Sequence, residues 1–339
     1  MKNNKAITIS LLIIVIFICG VVLRLAKPVL FPFFIAIFIS YILFPILDFL
    51  KKNKIPNALS IIFILIVAFF IFYLLGALFY SSGKAFAAEL PKYGQKVGSI
   101  LSLIQEKFKL TSTQWQLVNW VEQIDLDKIA SFILSSLGPF FAFIKNLFLI
   151  FIFLIFILAE REIIEKKISK SFSGSQSKRI VDVIQKINNQ IQKYLAIKTV
   201  VSFITGVFVT IVLLLFGVDF AVVFGFFTFL LNYIPNIGSI IATAFPVTIA
   251  VFQFETLWPA LWILIIIIAI QMIMGNFIEP RVMGKGLDLS PLVVLLSLFF
   301  WGWLWGLPGM ILAVPITAII KIVCANFPSL RPLALLMSR

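Results

Sequence analysis

The sequence predicts an all-α polytopic membrane protein, on three observations. Apolar residues fill 62% of 339 positions and the mean hydropathy is +1.13, which leaves too little polar surface to cover a water-soluble globule. Apolar runs recur at close to the roughly 20 residues that a helix needs to cross a bilayer core. Two late apolar stretches are broken near their middles by Gly and Pro, at 232–238 and 306–309. The layout is about six full spans plus two re-entrant helical hairpins in an inverted repeat, with an amphipathic helical segment outside.

The first apolar run, 6–25, follows a short basic stretch. No small-residue cleavage site follows Cys19 and Gly20, so it reads as the first helix and not as a removable signal. The second span, 28–50, ends at Lys51, Lys52 and Lys54, a cluster that marks the cytoplasmic side. The third, 55–80, exits outward and closes an N-terminal region of spans, 1–80. From 81 to 138 the sequence turns amphipathic, with Val97, Ile100, Leu101, Ile104 and Phe108 at helical spacing. Trp115 and Trp120 suit a membrane interface, and Asp125 or Asp127 could cap a further helix. An external cap, an oligomer contact and a connector lying on the lipid surface all fit this segment.

The fourth span, 139–159, is followed by a charged stretch that returns the chain to the cytoplasm and by a helix with Val181, Ile184, Ile187, Ile191 and Tyr194 on one face, so 139–194 pairs a span with a linker helix. Two similar units come next, 195–255 and 256–325, and a cytoplasmic tail, 326–339. Gly217 and Gly286, Asp219 and Asp288, Pro246 and Pro315, and Thr248 and Thr317 are each 69 residues apart. Each unit is a span plus a broken hairpin. With the basic clusters inside, Asp219 falls outside and Asp288 inside, so the two units run antiparallel. The arms, 219–234, 237–253, 291–306 and 308–324, reach roughly 24 Å as helices, short of a core of about 30 Å, which favours re-entry from opposite faces. Broken backbone at membrane depth must face protein or a water-lined cavity, and paired broken helices meeting at the midplane are the plan of a secondary transporter.

Candidate binding or gating residues are therefore Pro235, Asn236, Gly238, Asn276, Gly306 and Pro308 at the breaks, with Glu279, Arg281 and Asp288 in the polar loop between the last two apolar runs. The charged loop, which also holds Lys285, reads either as a gate or as a set of mutually paired surface charges. Asp219, Asp288, Thr248 and Thr317 are the candidates for coupling, although each threonine follows a proline and its hydroxyl could instead satisfy freed backbone groups. Trp301, Trp303 and Trp305 read as an interfacial belt or as hairpin packing.

Much is excluded. The 28 Lys and Arg against 14 Asp and Glu flank apolar runs, where they orient a membrane protein, and no nucleic-acid reader motif accompanies them. There is no histidine, which removes Ser-His triads and HExxH zinc sites. Cys19 and Cys324 form no CxxC, and Met283-Gly284-Lys285-Gly286 lacks the hydroxyl residue of a P-loop. No enzyme activity, cofactor or metal is expected.

The segments PNIGSIIATAFPV at 235–247, GNFIEPRVMGKGLDLSPLVVLLSL at 275–298 and WGLPGMILAVPITAIIK at 305–321 resemble the autoinducer-2 exporter family of membrane proteins. The resemblance implies a permease-like protein of the cytoplasmic membrane, its cargo a small molecule. Members are associated with export of the quorum-sensing signal autoinducer-2, and others with sodium/proton antiport or export of other metabolites. It also implies a homo-oligomer, a pentamer by that likeness, working by an elevator-like movement. A membrane scaffold with no transport is the contrasting reading, and broken helices at membrane depth argue against it.

Overall fold

A computed structural model describes the backbone of residues 10, 11, 14, 15, 18, 20–108, 139–171, 174–284 and 287–338, with side chains at 90–108, 139–145 and most of 162–179 excepted. The expected amphipathic faces around Trp115 and Trp120, the cap at Asp125 or Asp127, Cys19, Lys285 and Gly286 lie outside the described residues. Among those residues the protein is helical and without strands, apart from a single bridge of Leu289 with Ser338. Among the described residues, five helices are long and apolar enough to cross a membrane: Lys27–Lys52, Asn57–Glu89, Ile180–Leu215, Leu257–Met283 and Leu307–Asn326. The all-α polytopic class holds.

Helix α1 is Lys27–Lys52, with Pro28 in its first turn, where no N–H is needed, and Lys51 and Lys52 in its last, where they complement the carbonyl end. Lys54 at φ 63° turns the chain into α2, Asn57–Phe108. The third span and the start of the amphipathic segment are thus one continuous helix. Lys84, Ala85, Ala87, Ala88 and Glu89 are good helix formers and carry the helix on past Ser81-Ser82-Gly83, where apolar character ends. Helices α3, Pro139–Ser171, and α4, Gly174–Leu215, come next. The first hairpin is α5, Ala221–Leu231, and α6, Ile237–Gln253; then comes α7, Leu257–Met272, which passes through a π-helical turn, Ile273–Ile278, into α8, Glu279–Met283. The second hairpin is α9, Pro291–Trp305, and α10, Leu307–Asn326, with a short α11, Arg331–Leu336, at the end.

The chain divides into two compact units interleaved in sequence: 1–67, 146–200 and 279–339 form the first, and 68–145 and 201–278 the second. In the first unit Phe44 and Leu47 of α1, Ile61 and Ile64 of α2, and Leu154 and Leu158 of α3 share a core. Arg161 lies 4.2 Å over the Phe44 ring and forks onto Asp48 at 2.8 and 3.2 Å. A second cluster packs Ile191, Tyr194 and Leu195 of α4 against Val314 and Ala318 of α10, with Phe38, Tyr41 and Ile42 of α1 beside them. In the second unit Val209 and Leu213 of α4, Ala221 and Phe224 of α5, Ile249 and Ala250 of α6, and Ile263 and Ile267 of α7 make one core.

The second unit also shows how α4 and α5 approach so closely. A Cβ on Gly206 would lie 2.7 Å from the Gly225 carbonyl, and one on Gly225 would lie 1.7 Å from Thr210 Oγ1. Small residues at the crossing let the two backbones meet, as helices do where lipid supplies no hydrophobic drive for association.

Candidate functional site

Each hairpin is a helix, a break and a helix, and each break relies on unusual backbone. In the first, the chain leaves α5 at Asn232 and re-enters helix at Ile237; Asn236 precedes it at φ 60°, ψ −56° and makes no side-chain cap. Gly238 is buried against α5, where a Cβ would stand 1.7 Å from the Leu231 carbonyl, so glycine is required by space. Asn232, also buried, donates from Nδ2 to Ser202 Oγ of α4 at 3.1 Å. At the other end of this hairpin Gln253 bridges the Gly217 carbonyl at 2.8 Å and the Asp219 N–H at 2.9 Å, which ties the two bases together. Asp219 is partly buried there, while Pro235 and Asn236 lie at the far end.

In the second hairpin the break is Gly306 alone, at φ 79°, ψ −154°, followed by Leu307 and Pro308 in the first turn of α10. A Cβ on Gly309 would stand 2.1 Å from the Trp301 carbonyl. Trp301 and Trp305 are buried with ring centroids 4.9 Å apart, and Trp305 reaches Phe34 at 5.2 Å and donates to the Leu23 carbonyl at 3.4 Å. Exposed Trp303 carries Arg24 at 5.4 Å from its ring. Packing of the hairpin therefore claims two of the three tryptophans. The tip also stands beside the turn that precedes α1, and α10 at 20 residues reaches about 30 Å. The length argument for re-entry thus applies to α5, α6 and α9, of 11, 17 and 15 residues, and not to α10.

The threonines act differently from what the prolines suggest. Pro246 and Pro315 leave the carbonyls of Ala242 and Ile311 without their usual helical partner. Thr248 Oγ1 donates instead to the Ala244 carbonyl at 2.8 Å, and Thr317 Oγ1 to the Ala313 carbonyl at 2.7 Å. Buried Ser297 of α9 touches both Thr317 Oγ1 and the Ala313 carbonyl. Thr317 thereby joins the two arms of its hairpin, whereas Thr248 is exposed.

Two acids of the charged loop pair with lysines of distant helices. Glu279 accepts two hydrogen bonds from Lys198 Nζ of α4, at 2.7 and 2.8 Å. Lys198 is 5% exposed and the Glu279 side chain 17%, so this is a doubly bonded ion pair of a buried lysine with a part-buried carboxylate inside the first unit. Asp288, at φ 49° and with a 63% exposed side chain, is held by Lys321 of α10, which also donates to the carbonyls of Leu287 and Asp288. Arg281 and Asn276 are exposed. Of the candidates, then, Glu279 and Asp288 each gain a lysine partner from a distant helix.

Lys198 is the residue that sequence reasoning missed. It lies in the first turn of an apolar run, between Leu195-Ala196-Ile197 and Thr199-Val200-Val201, where a long side chain ordinarily snorkels to the interface. Its partner is 81 residues away, beyond any local pattern. Among the described residues no group of His, Cys, Asp and Glu could hold a metal ion. The arrangement does no bond chemistry; it provides buried polar groups and broken backbone within apolar helices.

Comparison with known proteins places this geometry in context. The family described as AI-2E family transporter matches residues 11–329. The AI-2 transport protein TqsA of Escherichia coli (strain K12) is 32% identical over 336 residues, covering 99% of this chain and 96% of that protein. Relatives from Haemophilus influenzae, covering 99% of this chain and 98% of their own, and from Borreliella burgdorferi, covering 95% and 87%, are each 34% identical. A match over nearly the whole length, on a chain of apolar helices with two broken hairpins, leads to one conclusion: the chain belongs to the AI-2E transporter family and is a multi-pass membrane transport protein, not an enzyme.

Proposed function

We propose that this transporter exports a small polar metabolite such as autoinducer-2 across the bacterial inner membrane, by an elevator-like alternating-access movement of its hairpins, as a homo-oligomer with both termini in the cytoplasm. The observation that carries the reading is the pair of buried Lys198 with part-buried Glu279 just beyond the π-helical turn that ends α7. Ionisable groups are costly inside apolar helices and are kept there for transport or relay more often than for stability. The breaks at Asn236 and Gly306 support it, because irregular backbone at membrane depth requires a protein or water lining. The substrate class follows from the relative named for AI-2 transport.

Reconstituted protein tests this directly. Liposomes loaded with autoinducer-2 should lose it down its gradient, and Glu279→Gln should slow the loss by about tenfold or more. A wild-type protein that leaves autoinducer-2 in place yet drives dye-reported proton flux on addition of sodium would replace this reading with sodium/proton antiport. A preparation that moves neither would favour a scaffold.

A further inference from the structure

We propose that Lys198 is the positioning residue for Glu279, and that their ion pair is a latch that must open in each transport cycle. The proposal rests on the transport reading above. Its basis is where the pair sits in the chain. The polypeptide leaves the first unit after Val200, runs through 201–278 as half of the second, and returns at Glu279. Lys198 stands two residues before that departure and Glu279 is the first residue back. The pair therefore ties together the two ends of an excursion that contains the rest of α4, the first hairpin, α7 and the π-helical turn.

Three features separate a latch from a rivet. An apolar pair of the same volume would hold two helices as well or better, because a buried ion pair loses in desolvation much of what attraction returns. Charge instead gives a contact that is specific when closed and that water or a polar ligand can take over when open. The second feature is asymmetry: Lys198 is sealed, but the Glu279 side chain keeps 17% of its surface, so the carboxylate is the half that can leave. The third is the π-helical turn Ile273–Ile278, which carries Glu279 on its C-terminal side and contains Gly275, with open space around its Cα. Such turns hold one residue more than an α-helix and can pass it along the helix, which shifts the residues on the C-terminal side.

The pair on α10 and the loop before α9 does not share these properties. Asp288 is exposed, and the same segment is fixed by the Ser290 N–H to the Met337 carbonyl at 2.9 Å and by the bridge of Leu289 with Ser338. Lys321 thus fastens a loop that is already held, whereas Lys198 bonds the Glu279 carboxylate from a helix 81 residues away in sequence.

Two measurements test the latch. In a protein with Cys19→Ala and Cys324→Ala, the variant Lys198→Cys/Glu279→Cys is bridged by a bis-methanethiosulfonate in liposomes loaded with autoinducer-2. Bridging should cut flux by about tenfold or more, and a reducing agent should restore it; full flux through the bridged protein would overturn the proposal. Because the unbridged cysteine pair itself can be inactive, the wild-type protein is also treated in liposomes with a water-soluble acetylating ester and Lys198 is followed by mass spectrometry. A latch gives progressive acetylation of Lys198, faster in Glu279→Gln. Complete protection of Lys198 over hours would refute opening. If the wild-type protein moves no autoinducer-2, the substrate reading falls, and Lys198 acetylation still decides whether the pair opens.

Discussion

Asn236 illustrates what single residues contribute to the breaks. Its φ of 60° and ψ of −56° suit glycine, its side chain caps nothing, and it is exposed at the end of the first hairpin. Backbone of this kind costs about 1–3 kcal/mol and accumulates at functional positions. Asn236→Gly should therefore raise the stability of the detergent-solubilised protein by about 1 kcal/mol, read as a higher unfolding midpoint, and slow autoinducer-2 flux. Unchanged flux in a stabilised variant would show that the amide has no part in handling cargo. Lys198 allows a sharper test. Lys198→Met leaves a part-buried carboxylate without its lysine and should cost up to about 3–5 kcal/mol, whereas Lys198→Met/Glu279→Met should recover most of that stability. Thermal unfolding of both variants measures the difference, and a double variant as unstable as the single one would mean that the charge is not what the site depends on.

Between residue and element lies the question of what could be read in the sequence. The breaks at 235–238 and 306–309 were legible because Gly and Pro act on backbone locally, through φ and through a missing N–H. Gly238 and Gly309 are forced by close helix crossings, a reason invisible in sequence although the residue was not. The unbroken α2 and the π-helical turn were not legible: an amphipathic stretch after an apolar one has no mark of continuity, and Gly275-Asn276 inside an isoleucine-rich run looks like a weak point in an ordinary helix. Partners such as Lys198 with Glu279 depend on tertiary structure alone. The turn makes its own prediction. Deleting Gly275 removes the extra residue that a π-turn accommodates and leaves the flanking helices in phase. The deletion variant should unfold at the same or a higher temperature while its flux falls, since the segment before Glu279 becomes a plain helix. Retained flux would assign the turn to packing.

At the scale of the whole molecule, the two hairpins correspond without being copies. Pro246 and Pro315 fall at the tenth and ninth residues of α6 and α10, and the threonine two residues after each bonds back to the carbonyl four before it. Yet five residues separate α5 from α6 where Gly306 alone separates α9 from α10. Common ancestry with later divergence would keep the arms and loosen the breaks, and chance similarity of turn residues would not keep the arms. What decides for an inverted repeat is orientation across the bilayer. If basic clusters stay inside, Glu255, at the foot of the first hairpin, faces out, and Asp288, at the foot of the second, faces in. Both are exposed. Single cysteines at these positions, in a protein with Cys19→Ala and Cys324→Ala, should react with a membrane-impermeant maleimide from opposite sides: Glu255→Cys in intact cells, Asp288→Cys only in inverted vesicles. Labelling of both from one side would make the hairpins parallel, and a mechanism built on their antisymmetry would have to be given up even if transport itself were demonstrated.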